Sequence, residues 1–327
     1  MLAAVHDHRP SPAVAVAVVS WNTRELLAAC LRSLQPEADA GRAEVWVVDN
    51  ASTDGSPDLV REEFPWATLV ASEDNLGFGP AVNLVAARTQ APWIAPANAD
   101  VELEPGALER LLATAAEHPG AGIIAPRLVL PGGGTQHSVH PFPTLPLTVV
   151  FNLGLHHLSR RLGDRLTLEG YWDEDRARTV DWAIGAFMIV SREAFDAAGG
   201  FDDSQWMYAE DLDLGWRVRR AGRVTRYEPR ARVKHVGGAA AEQAFGDEVV
   251  TRWMAASYGW MARRRGMMLT WAIAGINVLG AAVLLGLSAV LSKVWPRRYL
   301  HRRAEHRRWL QAHRTGLRSR RRLLEVR

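Results

Sequence analysis

The chain has 327 residues, of which 48% are hydrophobic and 23% charged, the composition of a folded protein with room for one large domain or two smaller ones. Its single cysteine, Cys30, has no partner for an internal disulfide and is expected to be a small buried residue in a reducing compartment. No secretory signal is expected, because no basic stretch followed by a long apolar one opens the chain. These features indicate a cytoplasmic catalytic or binding domain.

The net charge of +3 conceals a strong asymmetry. Residues 293–327 contain thirteen Lys or Arg and two Glu, a local balance of +11, which leaves −8 for residues 1–292. A basic tail on an acidic body indicates an anionic partner, either lipid or nucleic acid.

In chain order, the first part alternates short apolar runs with helix-like segments. We predict strands at 13–19, 44–48, 67–71, 92–96 and 122–126, and helices near 23–35, 56–64, 79–89 and 105–117. This order predicts an α/β fold with a mostly parallel sheet flanked by helices. Such sheets bind ligands at the carboxyl ends of their strands.

The second part is less regular. Residues 131–180 are rich in Pro, Gly and His and are interpreted as a long loop, which in a compact domain is usually functional or mobile. The four histidines in it match no zinc-binding spacing, so solvated or capping roles are favoured. After this loop we predict a strand at 186–190, helices at 192–198 and 210–221, and strands at 224–227 and 231–234.

Polar side chains follow four of the predicted strands. The clusters are Ser20-Trp21-Asn22, Asp49 to Gly55, Asp74 to Gly79, and Asn98-Ala99-Asp100. Any one of them could be a structural turn, but four at one sheet edge predict a nucleotide pocket. Gly77-Phe78-Gly79 is not a dinucleotide fingerprint, since Val82 stands where a third small residue is needed, and no phosphate-binding P-loop motif occurs. These absences argue against a dehydrogenase or a P-loop enzyme.

The segment 208–217 places three carboxylates, Glu210, Asp211 and Asp213, where a Gly- and aromatic-rich loop meets a predicted helix. A carboxylate held there can accept a proton from a substrate hydroxyl. A solvated acidic first turn stabilised by the helix dipole is the alternative, and it is favoured for the segment taken alone. The clusters at the strand ends shift the interpretation towards a catalytic site.

These clusters, in this order, resemble the family 2 inverting glycosyltransferases of the GT-A fold, and within them the rhamnosyltransferase-like branch. The likeness covers roughly residues 13–240, and the motifs are specific as an ordered series rather than singly. It implies a nucleotide-sugar donor bound by Asn22, Asp49, Asp54 and Asn75, with Asp49 at the base or ribose.

The resemblance also implies a divalent cation, Mg²⁺ or Mn²⁺, that neutralises the leaving diphosphate. Asp100 matches the last acid of the family's metal motif, and His235 matches a histidine that ligates the metal or contacts the diphosphate. Asn98 stands where an acid often sits, so the metal is expected to be weakly held.

On the acceptor side, Asp211 matches the family's catalytic base, and Glu210 beside it is expected to raise the proton affinity of Asp211. Asp213 either orients the acceptor or has a structural role, which we favour slightly. For Trp206 and Tyr208, stacking on the acceptor sugar and burial against the loop are about equally expected. The acceptor floor is assigned to Trp182 and Gly185.

The C-terminal segment begins with Arg263-Arg264-Arg265, and residues 266–292 contain no charged side chain. The stretch from Met267 to Leu291 is long enough to cross a bilayer, to re-enter it or to lie on it, or it is a buried helix. With the basic tail behind it, we favour peripheral or monotopic attachment to an anionic membrane at the cytoplasmic face. No nucleic-acid reader motif accompanies the tail.

We therefore predict a glycosyltransferase domain at 1–262, with 13–130 as its nucleotide-sugar half and 131–262 as its acceptor half, and a membrane-associating segment at 263–327. The expected reaction moves rhamnose from dTDP-rhamnose to a lipid-linked or cell-envelope glycan. The alternatives are a UDP-sugar donor (galactofuranose, hexose or N-acetylhexosamine), a catalytically silent sugar-nucleotide-binding or scaffold subunit, and a nucleotidyltransferase, although Ser20-Trp21-Asn22-Thr23 is not the basic Gly-rich loop of the last.

Overall fold

The structure is a computed structural model that describes residues 12–237 and 246–323. The absence of a signal at the N-terminus concerns residues that lie mostly outside this range. The described chain divides into two compact units. The first comprises Met1–Val139, Glu174–Phe201 and Leu214–Ala240, and the second His140–Asp173, Asp202–Asp213 and Ala241–Arg327.

A mixed nine-stranded sheet forms the centre of the first unit, in the order β3-β2-β1-β4-β10-β6-β11-β5 with β8 beside β11. Strands β3, β2, β1 and β4 are parallel to one another, and β11 is parallel to β6. The pairs formed by β10, β5 and β8 are antiparallel. The strands are β1 (Val14–Ser20), β2 (Ala43–Asn50), β3 (Thr68–Ser72), β4 (Trp93–Asn98), β5 (Val101–Leu103), β6 (Ala121–Val129), β8 (Arg178–Val180), β10 (Ile189–Ser191) and β11 (Val224–His235).

Helices pack on this sheet because each presents an apolar stripe at helical spacing. In the first helix, Leu27, Leu31 and Leu34 are fully buried together with the strand residues Val14, Val16 and Val18. The helices are α1 (Arg24–Asp39), α2 (Ser56–Glu63), α3 (Phe78–Ala86), α4 (Ala107–Glu117), α7 (Arg192–Ala198) and α8 (Glu210–Arg220), whose first turn is grouped with the second unit. The predicted α/β architecture is confirmed, with boundaries that differ by a few residues.

Two predictions of local structure were wrong. The segment 131–180 is not one loop, since it contains β7 (Val139–His140), α5 (Leu145–Asn152), a 3₁₀ turn (Leu155–Leu158), α6 (Arg160–Arg165) and β8, and β7 pairs with β9 (Trp182–Ala183). The start of α5 carried a readable signal, because Thr144 accepts a hydrogen bond from the Leu147 amide and Pro146 lies in the first turn. The strands predicted at 224–227 and 231–234 are one strand, β11, with a shift of register between Glu228 and Arg232.

The second unit is helical. Besides α5 and α6 it contains the 3₁₀ turn Gly246–Glu248 and the helices α9 (Val249–Arg265), α10 (Met267–Val294) and α11 (Pro296–Leu323). Among the described residues, α10 is the one helix that is long and apolar enough to cross a membrane, with a mean hydropathy of 2.1 over an 18-residue stretch. The domain boundary placed at residue 262 stays a prediction, and α9 runs through it.

Candidate functional site

The loops after β1 and β2 hold each other in place. The backbone amide of Asn22 donates to the Ser52 hydroxyl at 2.9 Å, and the Thr53 amide donates to Asn22 Oδ1 at 2.8 Å. Both loops contain a non-glycine residue in the left-handed region, Asn22 with φ 50° and Ala51 with φ 61°. Such backbone persists where surrounding contacts enforce it, and it is concentrated at binding sites.

Of two predicted donor-binding acids, Asp54 lies in the second of these loops and Asp49 lies near the end of β2. Asp54 accepts hydrogen bonds from the Arg24 amide at 2.8 Å and from the Ser56 amide and hydroxyl at 3.0 and 2.6 Å. Partial burial opposes ionisation, but these hydrogen bonds prevail and lower the pKa of Asp54. Asp49 is buried, and its Oδ2 accepts from the Ser52 amide at 2.9 Å. Its Oδ1 is buried without a hydrogen-bond partner among the described residues, so one strong acceptor remains for a ligand.

The loop after β3 is tied to the end of β2. Asn75 Oδ1 accepts from the Gly77 amide at 3.0 Å, and Asn50 Nδ2 donates to the Gly77 carbonyl at 3.1 Å. Gly77 has φ 85°, a conformation that glycine adopts at little cost. Our sequence reasoning missed Asn50, although it ends the strand that carries Asp49. Its Oδ1 is also buried without a partner in the described part of the chain.

The predicted metal residues meet at the end of the sheet. Asp100 Oδ1 lies 3.3 Å from His235 Nε2, and Asn98 Nδ2 lies 3.4 Å from the same nitrogen. Gln136, which the sequence analysis did not single out, places its Oε1 2.7 Å from His235 Nδ1. Because an amide oxygen only accepts, Nδ1–H donates to it, and the Nε2 of the neutral ring can accept from Asn98 Nδ2 or bind a cation beside Asp100. The Gly237 amide donates to Asp100 Oδ2 at 3.2 Å.

This donor set fits a divalent cation held in part by its substrate. Among the described residues no group of three His, Cys, Asp or Glu side chains could enclose a metal. One carboxylate and one imidazole remain, and Mg²⁺ commonly takes one or two protein carboxylates and completes its shell with phosphate oxygens and water. Asp100 and His235 therefore fit a cation that is bound together with a diphosphate.

The second predicted cluster opens α8. Tyr208 and Ala209 both have left-handed backbone, with φ 66° and 63°, directly before the helix. Two consecutive non-glycine residues in this region are costly, of the order of 1–3 kcal/mol each. They turn the chain sharply, so that Glu210 and Asp211 begin the helix. Asp211 Oδ1 accepts from the Leu212 amide at 2.7 Å.

Glu210 is a carboxyl group with a raised pKa. Burial, reinforced by the negative charge of Asp211, raises the pKa of the Glu210 carboxyl to about 8. Its Oε2 is buried and lacks a hydrogen-bond partner among the described residues. Burial and the nearby Glu210 also raise the pKa of Tyr208 to about 12. At neutral pH the raised pKa keeps the Glu210 carboxyl mainly protonated.

Asp213 lies one turn further and is fully buried. Arg264 of α9 holds it with two bonds, Nε to Oδ1 at 2.7 Å and Nη2 to Oδ2 at 3.1 Å. Trp260 Nε1 donates to Oδ1 at 2.9 Å. Arg264 Nη2 also donates to Asp202 at 2.8 Å. These contacts favour the structural role of Asp213 over acceptor binding, and they show a partner, Arg264, that sequence reasoning treated only as part of a basic cluster.

The remaining predicted acceptor residues are divided between the two units. In the first, Trp182 is buried, and Gly215 of α8 packs so closely against it that an added Cβ would lie 2.8 Å from the Trp182 Cβ. Gly185 follows β9 in the same unit. In the second, Trp206 is about one third exposed and Tyr208 is partly buried. The structure thus brings Asn22 and Asp54 onto interlocked loops, unites Asn98, Asp100 and His235, and sets Glu210 beside Asp211.

The mixed sheet of the first unit, with an unsatisfied acid and a carboxylate–imidazole pair at its strand ends, is the architecture of a nucleotide-sugar transferase of the GT-A class. A solved structure, a mannosyltransferase from Pyrobaculum calidifontis in complex with GDP-Man and Mn²⁺, supports this fold. It superposes with a TM-score of 0.59 at 18% identity and covers 94% of this chain and 86% of that chain.

Sequence comparison extends the assignment. Residues 15–174 match the glycosyl transferase family 2 model. The N-acetylglucosaminyl-diphospho-decaprenol L-rhamnosyltransferase of Mycobacterium tuberculosis is 33% identical over 206 residues, 58% of this chain and 66% of that protein. The rhamnosyltransferase WbbL of Escherichia coli is 34% identical over 95 residues, 29% of this chain and 33% of that protein. The chain therefore spans just under two thirds of the first relative and one third of the second. Residues 15–174 therefore carry a glycosyl transferase family 2 domain, and the chain is similar to these two rhamnosyltransferases.

Proposed function

We propose that this protein is an inverting glycosyltransferase that moves rhamnose from dTDP-rhamnose to a lipid-linked or cell-envelope glycan acceptor. The similarity to a rhamnosyltransferase named for a polyprenyl-diphosphate N-acetylglucosamine supports the sugar and the acceptor class. The observation that carries the mechanism is the Glu210–Asp211 pair at the strained start of α8, in which burial raises the pKa of the Glu210 carboxyl beside Asp211.

In this mechanism Asp211 is the general base. The acceptor hydroxyl oxygen attacks the anomeric carbon as the bond to the diphosphate oxygen breaks on the opposite face, and Asp211 takes the hydroxyl proton. One displacement inverts the configuration, so a single base suffices. Glu210, protonated at neutral pH, adds no second charge and holds a proton next to the base.

On the donor side, Asp49 accepts a hydrogen bond from the base or ribose through its unpartnered Oδ1. Asn22, Asp54 and Asn75 shape the pocket through the loop contacts described above. Asp100 and His235 would hold Mg²⁺ or Mn²⁺, with Asn98 beside them. When bound, the cation supplies neutralisation of the charge that develops on the leaving diphosphate.

On the acceptor side, Trp182 and Gly185 form the floor, and Trp206 and Tyr208 contact the acceptor sugar. A lipid-linked acceptor places the enzyme at a membrane. We assign it to the cytoplasmic face of the plasma membrane as a peripheral or monotopic protein, since α10 is apolar and the tail behind it is basic. Nucleic acid is not an expected partner.

The first test is donor binding by the full chain. Thermal denaturation is measured with dTDP-rhamnose, UDP-galactofuranose, UDP-glucose and UDP-N-acetylglucosamine, each with and without Mn²⁺. A ligand that binds the native state raises the Tm according to its occupancy. A rise confined to dTDP-rhamnose and enhanced by Mn²⁺ is expected. A rise with UDP-sugars alone would replace the donor, and no rise with any of them would favour a silent subunit.

The second test separates the roles of two acids. Asp211→Asn should reduce rhamnosyl transfer to a polyprenyl-diphosphate-linked N-acetylglucosamine by at least 10²-fold, the lower range for loss of a general base, with donor affinity unchanged. Asp49→Ala should weaken donor binding and raise the donor KM. Substantial transfer by Asp211→Asn would contradict the assignment of the base.

A further inference from the structure

The helix α10 has its polarity reversed relative to a helix of a water-soluble domain. Three apolar residues spaced by eleven positions lie on one face, because eleven residues make close to three turns. They are Met268, Leu279 and Val290, with exposures of 89%, 66% and 64%. The opposite face is buried and mostly small or hydroxylated, with Thr270, Ala274, Ala281, Ser288 and Ser292 beside Ile273. An apolar outer face and a small, polar inner face suit hydrocarbon rather than water as the surrounding medium.

The inner face of α10 is anchored to the rest of the second unit by a chain of polar contacts. Asn277, at mid-helix, accepts from Asn152 Nδ2 of α5 at 2.8 Å and donates to the Tyr258 hydroxyl of α9 at 3.4 Å. Tyr258 in turn contacts His313 Nδ1 of α11 at 2.8 Å. Helix α10 packs against all three helices. Its middle therefore cannot enter a bilayer without its neighbours.

One of those neighbours makes a membrane crossing costly. Helix α11 packs along α10 and contains eleven arginines between residues 297 and 322. Arg297, Arg298, Arg302 and Arg307 are exposed. An arginine at the centre of a bilayer costs about 3 kcal/mol even on the lowest scale, so several would outweigh the gain from an apolar partner helix. At the surface the same side chains can contact lipid phosphates.

A second apolar group in the same unit belongs to the segment that packs on α10. Phe151 in α5, Leu153 after it and Leu158 in the 3₁₀ turn have exposures of 60%, 68% and 83%. Exposed apolar side chains of this size concentrated in one segment indicate an interaction site. Helix α5 is joined to α10 through the Asn152–Asn277 hydrogen bond. The two groups therefore belong to the same helical assembly.

We propose that α10 lies in the plane of an anionic phospholipid bilayer surface and does not cross it. Its Met268–Leu279–Val290 face enters the boundary between headgroups and acyl chains, and the α11 arginines bind lipid phosphates. The proposal rests on the proposed function only in that a lipid-linked acceptor requires a membrane. The opposite charges of the tail and the headgroups select a bilayer over a second copy of the chain, whose tail would be equally basic.

Depth measurements distinguish lying from crossing. In the full chain, Met268→Cys, Leu279→Cys and Val290→Cys are prepared singly and labelled with a fluorophore. The parent chain, whose Cys30 is fully buried, is treated with the same fluorophore to measure background labelling. The protein is bound to phosphatidylglycerol–phosphatidylcholine vesicles that carry a quencher at a shallow or a deep acyl position. In-plane binding predicts equal, shallow quenching at all three sites. A crossing helix would place Leu279 about 16 Å deeper than the other two, and that result would overturn the proposal.

Vesicle flotation tests the surface itself. The double substitution Leu279→Glu with Val290→Glu should weaken partitioning onto phosphatidylglycerol vesicles at least tenfold, and phosphatidylcholine alone should bind the parent chain more weakly. Leu130→Glu, at an exposed apolar residue of the first unit, is the matched control and should bind unchanged. Unaltered binding by the double variant, or dimerisation without vesicle binding, would refute the proposal. Donor-induced Tm shifts, measured without vesicles, report on the proposed function separately.

Discussion

The ion pair between Arg264 and Asp213 supports a quantitative prediction for Arg264→Ala. In the native protein the buried Asp213 carboxylate receives both Arg264 nitrogens and the Trp260 indole N–H. The substitution removes the Arg264 bonds, so that of these two donor side chains the Trp260 indole remains on the buried carboxylate. It also removes the Arg264 contact with Asp202. The start of α8, which carries Asp211, then keeps the Trp260 bond to α9 but loses the Arg264 bonds.

The magnitude follows from burial. Breaking a buried ion pair by removing one partner costs 3–5 kcal/mol, because the other charge is left without compensation. The Asp213 side chain is fully buried, but Arg264 is 32% exposed, so water already screens one partner. We therefore expect a loss of about 3 kcal/mol, at the lower end of that range, and a fall in Tm of about 4 °C for a chain of this size. Transfer should fall with the displaced base, whereas donor affinity should persist, since the donor-loop hydrogen bonds lie within the first unit.

The assay is a double-mutant cycle on unfolding free energy with Arg264→Ala, Asp213→Asn and the double variant. The double variant should be destabilised by less than the sum of the single ones, with a coupling of at least about 1 kcal/mol, since directly paired residues couple by 0.5–3 kcal/mol. Arg252→Ala is the control: its exposed pair with Glu248 on the same helix should contribute less than about 1 kcal/mol. Additive single effects, or a loss at Arg264 no larger than at Arg252, would refute the reasoning.

Two further predictions concern the proton on Glu210 and the orientation of His235. Because the folded pKa of Glu210, about 8, lies above its ordinary value, the native state loses stability as pH rises from 5 towards 8. Glu210→Gln should flatten that loss in Tm measurements across this range. Because glutamine mimics the neutral acid, this variant should also retain more than a tenth of the parent transfer rate, which Asp211→Asn abolishes. Equal losses of transfer in both variants would contradict the division of roles. Gln136→Leu removes the acceptor at His235 Nδ1 and should weaken Mn²⁺ binding about 10–100-fold by calorimetry in the presence of dTDP. Unchanged affinity would mean that Gln136 does not orient His235.

Much of the fold could be predicted because its signals are local. Buried strands such as β1 and β2 appear as continuous apolar runs, and the polar residues that follow them stand at the carboxyl ends of parallel strands. The register then brings them together, with Ser20 beside Asp49 and Val19 beside Asn98. The segment 131–180 was missed because α5 and α6 are short, and short helices carry little periodicity.

The site was predicted less completely. The ordered motifs predict roles for Asp49, Asp100 and Asp211, but they did not predict the raised pKa of Glu210. The raised pKa of Glu210, caused first by burial and then by the charge of Asp211, was not predicted, and the expected effect of Glu210 on Asp211 stays a prediction. Burial depends on what packs over a side chain, and sequence spacing does not reveal it.

The sequence by itself determined the class of this protein, because strand periodicity and turn chemistry are properties of neighbouring residues. Only the tertiary structure decided which side chains are paired: Gln136 with His235 across 99 positions, and Arg264 with Asp213 across 51. It also decided that α10 turns its polar face inward, towards Asn152 and Tyr258. These pairings follow from the free-energy cost of burying an unsatisfied polar group, which arises only when distant segments pack together.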